Sequence, residues 1–322
     1  MEELAGHGLT GPDGKTPAEK WDEEITRRAL DELFCHARKY RTSASYAQLM
    51  KFVARFRAYA PYNAMLVHIQ MPGAMFVAPP ERWLRRYGRF IKADGRPLVI
   101  LRPMGPVMFV FDVSDTEPGP EAEPLPPEVT CPYEVRSGKV RRQLEMTMEN
   151  AKRDGVYVQE VKTGSQAAGS ISTVPAGPWQ PLLFDAGVDE RGRPIRIAVP
   201  LRYTLQLNEG MSREARYATL VHELAHLYCG HLGTPDPRWW PDRLGLAETQ
   251  REFEAESVTY LVCARLDIDN PSAEYLAGYV GCHPVVPKIS PECVMRAAGL
   301  IEQMGDRRQK PRKERDDSQR GR

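Results

Sequence analysis

Apolar residues return every three or four positions in the first part of the chain. Over residues 18–40 and again over 44–59 this spacing predicts two amphipathic helices, the second ended by Pro61. Two short apolar runs follow at 97–103 and 107–113, where β-branched and aromatic residues predict strands. The first part of the chain is therefore expected to be a small α+β unit.

The second half alternates between the two patterns. Strands are predicted at 156–161, 169–173 and 195–208. Helices are predicted near 137–153, from the N-cap Ser212 to about Gly230, and at 247–266, 272–280 and 291–304. Mixed strands and helices in this order predict a second, larger α+β domain.

Composition divides the chain further. A stretch rich in Pro and Glu, without basic residues, predicts a linker, and a charged end without apolar residues predicts disorder. The predicted segments are 1–17 disordered, 18–113 N-terminal α+β domain, 114–131 linker, 132–305 larger domain and 306–322 disordered tail.

The overall composition is that of a globular protein. Hydrophobic residues make up 42% and charged residues 27% of the 322 residues, and the net charge is +1. Six scattered cysteines form no CxxC pair, which argues against a disulfide framework and a thiolate zinc site. The apolar runs are too short to span a bilayer, and the N-terminus lacks a signal-peptide core. We therefore expect a cytoplasmic protein without a membrane partner.

The stretch VHELAHLYCGH at 221–231 carries the main candidate chemistry. His222 and His226 lie four residues apart, on one face of the predicted helix, where both imidazoles can bind one zinc ion at about 2.0–2.1 Å. Glu223 lies about 100° round the helix, where it can take a proton from a water molecule that zinc makes acidic. This is the HExxH form of a catalytic zinc site. The alternative is a pair of neutral core histidines without metal.

A third ligand has to come from another part of the chain. The extended motif HExxHxxGxxH fails, because Cys229 and Leu232 occupy the matching positions. His231 lies about 140° round the helix from His226 and is expected to point away from the metal.

The predicted helix at 247–266 supplies the remaining candidates. Glu252 and Glu256 share one face, whereas Glu254 lies on a different side. We predict Glu252 as the third ligand and Glu256 as a carboxylate that hydrogen-bonds a ligating histidine. The reverse assignment of these two, or a purely solvated role for both, is the alternative.

These residues resemble a known family. HELAH at 222–226, EFEAE at 252–256 and SAEYLAGYV at 272–280 resemble the ImmA/IrrE-type metallopeptidase domain, in the form found in ArdC-like antirestriction proteins. Residues 62–67 and 76–103 resemble the ArdC-like N-terminal domain, through Asn63, Trp83, Gly88 and Gly95.

The resemblance implies a zincin-like metallopeptidase domain that holds one Zn²⁺ per chain with HExxH plus Glu252. Its substrate would be a protein or peptide, such as a transcriptional repressor. It also implies single-stranded DNA as a partner of the N-terminal domain. Two functions are therefore expected: a zinc endopeptidase with Glu223 as general base, or a DNA-binding antirestriction protein whose metal site is structural or vestigial.

Local charge bears on the second function. Residues 26–110 hold 15 Lys and Arg against 4 Asp and Glu, a local net charge of +11. Basic and aromatic residues that alternate can hold a single strand without sequence preference. The candidates for this contact are Arg82, Trp83, Arg85, Arg86, Arg89 and Lys92. The alternative is that Trp83, Tyr87 and Phe90 are core residues beside a solvated basic face.

A peptidase needs two further parts. The strand at 195–208 is expected to be the sheet edge that pairs with an extended substrate. An oxyanion stabiliser is also required, for which Tyr275 and His283 are the candidates.

Overall fold

The structure is a computed structural model with a mixed α+β fold. It describes residues 40, 42–102, 105–120, 122, 124–125, 140–161, 169–268, 272, 276, 279 and 282–312. The predicted disordered segment at 1–17, almost all of the predicted helix at 18–40, and Tyr275 lie outside these residues. Among the described helices, none is long and apolar enough to cross a membrane.

Within the described residues, the N-terminal region has three α-helices and five short strands. They are α1 (Ser43–Arg55), α2 (Pro61–Gln70), β1 (Val77–Ala78), α3 (Pro80–Tyr87), β2 (Arg89–Ile91), β3 (Leu98–Arg102), β4 (Gly105–Asp112) and β5 (Thr116–Pro118). Strand β4 pairs with β1 on one side and β3 on the other, and β2 pairs with β5, all antiparallel.

The predicted helix at 44–59 is shorter than expected. It begins after Thr42, whose side chain accepts a hydrogen bond from the Ser45 amide, and ends at Arg55. Pro61 opens α2 rather than ending α1, because proline lacks only an N–H that the first turn of a helix leaves unpaired.

Part of the predicted linker is ordered. Thr116–Pro118 forms β5 and pairs with β2. The buried Thr116 hydroxyl accepts a hydrogen bond from the Arg89 side chain at 2.7 Å, so the strand is tied to the body of the protein by side chains as well. Residues 126–131 of the predicted linker lie outside the described part of the chain.

In the described part of the C-terminal region, four helices and five strands have defined bounds. They are α4 (Gln143–Ala151), β6 (Val156–Val161), β7 (Gly169–Thr173), β8 (Leu182–Val188), β9 (Pro194–Val199), β10 (Tyr203–Asn208), α5 (Arg213–Tyr228), α6 (Glu248–Arg265) and α7 (Pro291–Asp306). The helices predicted at 212–230, 247–266 and 291–304 are confirmed. Strand β8, which pairs with β9, is a strand that the sequence pattern did not predict.

The predicted strand at 195–208 is two strands, β9 and β10, separated at Pro200. Proline has no N–H for a strand ladder, so the run cannot continue through it. The second piece, β10, is central: β6 pairs with it in parallel and β7 in antiparallel orientation. Within the described residues the edge next to α5 is therefore β7, which corrects the predicted edge strand.

The two regions share one hydrophobic core. Leu49 and Leu66 from the N-terminal region belong to the same buried cluster as Leu224, Val258 and Ile301 from the C-terminal region. Burying apolar side chains from both regions together stabilises their packing by roughly 25 cal/mol for each Å² removed from water. Phe76, Ala78, Trp83 and Tyr87 form a second, smaller cluster in the N-terminal region. The division into two domains with a linker at 114–131 stays a prediction.

The predicted disorder of the tail from Asp306 is corrected for its first part. Arg312 donates hydrogen bonds to both carboxylate oxygens of Asp154, at 2.6 and 3.2 Å, and its guanidinium lies over the rings of Trp239 and Trp240. Asp154 is fully buried, and a buried carboxylate needs such a cation. The chain is thereby held against the domain as far as residue 312.

Candidate metal centre

Helix α5 positions the HELAH motif. The Ser212 side chain accepts a hydrogen bond from the Ala215 amide at the start of the helix. Leu220, Leu224 and Leu227 are fully buried and fix one face of the helix in the core. The motif residues His222, Glu223 and His226 lie on the remaining surface and are only partly buried.

The structure brings His222, His226 and Glu252 together. The two histidine Nε2 atoms lie 3.3 Å apart. Each also lies 3.5 Å from a carboxylate oxygen of Glu252, which comes from the neighbouring helix α6. The two imidazole nitrogens thus face one carboxylate across the two helices, with Oε2 beside His222 and Oε1 beside His226.

This triangle fits a zinc ion. Ligand bonds of about 2.0–2.1 Å in tetrahedral geometry place neighbouring donor atoms about 3.3–3.4 Å apart. The separation of 3.3 Å between the two Nε2 atoms matches that edge length, and each Nε2 lies 3.5 Å from a different oxygen of Glu252. Three protein ligands leave a fourth position, which is typical of catalytic rather than structural zinc sites.

Electrostatics favour the metal-binding forms of His226 and Glu252, but they favour the protonated form of His222. Burial and the neighbouring His222 lower the pKa of His226 to about 4, so its imidazole is neutral at pH 7. A hydrogen bond with His222 lowers the pKa of Glu252, which is therefore a carboxylate. The pKa of His222 is raised, because the glutamates around it outweigh the opposing effect of burial.

Glu223 lies in a different environment on the same helix. Burial raises its pKa, as does the charge of Glu252, while His222 and a hydrogen bond with the Ile171 backbone act in the opposite direction. The contact with Ile171 places Glu223 beside the edge strand β7. A carboxylate of raised pKa near the metal triangle is suited to accept and return a proton.

Glu256 lies one turn beyond Glu252, on the same face of α6. Its carboxylate is 3.6 Å from Nδ1 of His222. That separation exceeds the usual range of an N–H···O hydrogen bond, so the predicted hydrogen bond is not formed at this distance. The two groups are within ion-pair distance. The role of Glu256 in orienting His222 stays a prediction.

The position of His231 differs from the expectation. Its Nδ1 lies 3.0 Å from Nδ1 of His226, so it points toward the site and not away from it. The helical angle does not apply, because α5 ends at Tyr228 and the chain turns at Gly230, where φ is +83°. A Cβ at Gly230 would lie 2.1 Å from the Pro241 carbonyl oxygen, so the turn requires glycine.

Glu254 completes a buried cluster behind His231. Its carboxylate accepts from Nε2 of His231 at 2.9 Å, from both terminal nitrogens of Arg243 at 2.6 and 2.7 Å, and from the Ser290 amide at 2.7 Å. Burial alone would raise the pKa of Glu254, but these bonds outweigh it and hold the pKa below its usual value. Helical spacing places Glu254 on a different face of α6 from Glu252. There it contacts His231 and Arg243, which lie in the segment after α5.

Cys229, His231 and Glu254 also bring their donor atoms close together. They do not fit a second metal. Burial raises the pKa of the Cys229 thiol well above its usual value, so it is not a thiolate. Both oxygens of Glu254 already accept bonds from the cationic Arg243, which occupies the place a metal ion would take.

The candidate nucleic-acid residues divide into two groups. Arg82, Arg85 and Arg86 are exposed on one face of α3. Trp83 is fully buried and its Nε1 donates to the Phe111 carbonyl, so its ring is not available to stack on a base. This corrects the predicted role of Trp83.

Two further candidates on the adjoining strand serve the fold. Arg89 donates to the side chain and carbonyl of Thr116, and Lys92 donates to the Ser114 carbonyl at 2.7 Å. Phe90, by contrast, is 49% exposed, so it is not a core residue. Of the oxyanion candidates, Tyr275 lies outside the described residues, and His283 stacks on the ring of Tyr279.

Comparison with known proteins adds little. No family model matches the sequence, and no curated protein matches it. The chain is similar to the metal-free crystal structure of the antirestriction protein ArdC from plasmid R388, with 14% sequence identity over 77% of this chain and 82% of that one. The TM-score is 0.31, a value too low to support an argument about fold or function.

Proposed function

We propose that this protein is a zinc-dependent endopeptidase with a zincin-like active site. The observation that carries the proposal is the grouping of His222, His226 and Glu252, whose closest donor atoms lie 3.3–3.5 Å apart, with Glu223 on the same helix as the two histidines. The three side chains would hold one zinc ion. When bound, zinc lowers the pKa of a water molecule toward about 7 and polarises the carbonyl of the scissile bond.

Glu223 supplies the proton transfers. Its carboxylate takes a proton from the attacking water while the water oxygen bonds to the carbonyl carbon. When the C–N bond breaks, Glu223 returns that proton to the leaving nitrogen, so the products are a carboxylic acid and an amine. The raised pKa of Glu223 suits the first step, because a carboxylate of higher pKa is a stronger base.

Strand β7 is the surface on which the substrate would lie. Within the described residues it pairs with β10 on one side only, and Ser170, Ser172 and Thr173 are exposed. An extended peptide can add to such an edge through main-chain hydrogen bonds. The contact between Ile171 and Glu223 places the middle of this edge next to the proposed base.

Replacing Glu223 by Gln tests the proposal. The change removes the proton acceptor but none of the three proposed ligands, so zinc content and thermal stability are expected to match wild type. Hydrolysis of an extended peptide library should fall by about 10²–10⁴-fold, the usual contribution of a general base. Mass spectrometry of the products, at equal zinc occupancy, measures this.

A second function is favoured by the surface of α3. Arg82, Arg85 and Arg86 are exposed on α3, and Phe90 is exposed on the following strand β2. Basic and aromatic side chains together suit a single-stranded nucleic acid. The same Glu223→Gln variant separates the two functions. Cleavage by wild type that persists in the variant contradicts the role of Glu223, and no cleavage by either beside unchanged DNA binding supports the second function.

A further inference from the structure

A buried hydrogen-bonded chain lies behind the proposed ligand His226. It runs from Arg243 through Glu254 and His231 to Nδ1 of His226, with successive separations of 2.6, 2.9 and 3.0 Å. His231 is 1% exposed and Glu254 is fully buried. The other ring nitrogen of His226, Nε2, is the atom that faces His222 and Glu252.

The direction of each hydrogen bond follows from the end of the chain. Arg243 can only donate, and it donates to both oxygens of Glu254, as does the Ser290 amide to one of them. Glu254 is therefore ionised and only accepts, so His231 must donate from Nε2–H. A neutral imidazole with its proton on Nε2 has a lone pair on Nδ1, which accepts a hydrogen bond from Nδ1–H of His226.

This sequence of donors fixes the tautomer of His226. If Nδ1 of His226 carries the proton, Nε2 carries a free lone pair, and that lone pair points into the triangle with His222 and Glu252. Only this tautomer can bind a metal at Nε2. The opposite direction, with a proton on Nε2, would place an N–H where the metal belongs.

We propose that His231 and Glu254 are positioning residues that hold His226 in its ligating tautomer and ring orientation. The inference builds on the proposed metal site and assigns a role to residues that the HExxH motif does not include. Ligating histidines commonly donate their second ring N–H to a neighbouring acceptor, and loss of that acceptor typically weakens metal binding about 10–100-fold. Here the acceptor would be a second histidine, itself fixed by an ion pair.

Two substitutions at position 231 separate positioning from packing. His231→Leu introduces an apolar side chain of similar bulk and removes both hydrogen bonds, so zinc affinity should fall about 10–100-fold. His231→Gln retains an oxygen to accept from His226 and an N–H to donate to Glu254, so its affinity should stay within about threefold of wild type. His68→Leu is the matched control, because it removes a buried imidazole on α2 that packs against Phe52.

The experiment is a chelator-competition measurement of zinc affinity on the full chain, together with ¹⁵N NMR of histidine tautomers in the metal-free protein. The account predicts a proton on Nδ1 of His226 and on Nε2 of His231. The inference would be overturned if His231→Leu bound zinc as tightly as wild type, or if Nε2 of His226 carried the proton. Either result would leave the proposed metal site unaffected. Absence of zinc binding in wild type would overturn the proposed function and this inference with it.

Discussion

Glu252 and Glu256 show how much one helical turn decides at the residue scale. Both lie on the same face of α6, yet only Glu252 approaches Nε2 of both histidines, at 3.5 Å. Glu256 reaches Nδ1 of His222 alone, at 3.6 Å. A carboxylate that contacts Nε2 of both imidazoles is placed to share a metal ion with them. A carboxylate that contacts Nδ1 of one ring is not.

Alanine at each of these positions should therefore give different results. Glu252→Ala removes one of three ligands, so zinc affinity should fall by more than the roughly 10–100-fold that is typical of losing a residue outside the ligand set. Glu256→Ala leaves all three ligands and should weaken affinity by about tenfold or less, as loss of an outer carboxylate does. Isothermal titration of zinc into both variants measures this, and the reverse order would make Glu256 the ligand.

The sequence predicted some of these residues and missed others for one reason. His222, Glu223 and His226 are linked by helical spacing, which sequence contains. The predicted direction of His231, away from the metal, depends on extending that spacing past the end of the helix. Gly230 directly after the apolar pattern is a helix-stop signal, and it could have shown that the angle no longer applied to His231.

At the scale of elements, one buried ion pair connects the end of α5 to α6 and to the start of α7. Glu254 on α6 is fully buried and binds Arg243 from the loop after α5 and the amide of Ser290, the N-cap of α7. A buried carboxylate that loses its charge leaves its cation unpaired, which typically costs about 3–5 kcal/mol. The cluster therefore stabilises the packing of three helices as well as orienting His231.

Glu254→Gln should destabilise the protein by about 3 kcal/mol at pH 7, because Arg243 then stays buried without its partner. The effect should depend on pH. The pKa of Glu254 is lower in the folded protein than in the unfolded chain, so its stabilisation is present above about pH 4.3 and is lost as the pH falls through the folded value.

Urea unfolding of both proteins at pH 7 and at about pH 3.5 measures this. The difference in free energy of unfolding between wild type and Glu254→Gln should shrink at the lower pH. A difference that stays constant across this range would show that the charge of Glu254 is not what stabilises the cluster.

The elements that sequence did not predict are those whose neighbours decide them. The sequence pattern predicts a helix end at Pro61, but Pro61 begins α2. The strand β8 is recognisable mainly by its pairing with β9. Residues behind the N-terminal resemblance also have structural roles here. Asn63 bonds both the amide and the carbonyl of Leu101 in β3, and Gly88 ends α3 with φ of +59°.

At the scale of the whole molecule, hydrogen bonds link the N-terminal region to α6, the helix that carries Glu252. Tyr46 on α1 donates to Ser257 on α6 at 2.8 Å, one residue after Glu256. Arg265 near the end of α6 donates to the carbonyls of Val53, Phe56 and Tyr59. Sequence periodicity predicts which face of each helix is buried but not which element covers it, so it does not reveal that side chains of both regions meet in one cluster.

Metal content of the purified whole chain tests the central claim most directly. Elemental analysis of wild type beside His222→Ala, after zinc is offered and excess is removed, gives the stoichiometry. The account predicts about one zinc per chain in wild type and loss of that zinc in the variant, whose fold should remain intact by circular dichroism. Wild-type protein without zinc, or zinc retained in His222→Ala, would contradict a catalytic site built on His222, His226 and Glu252.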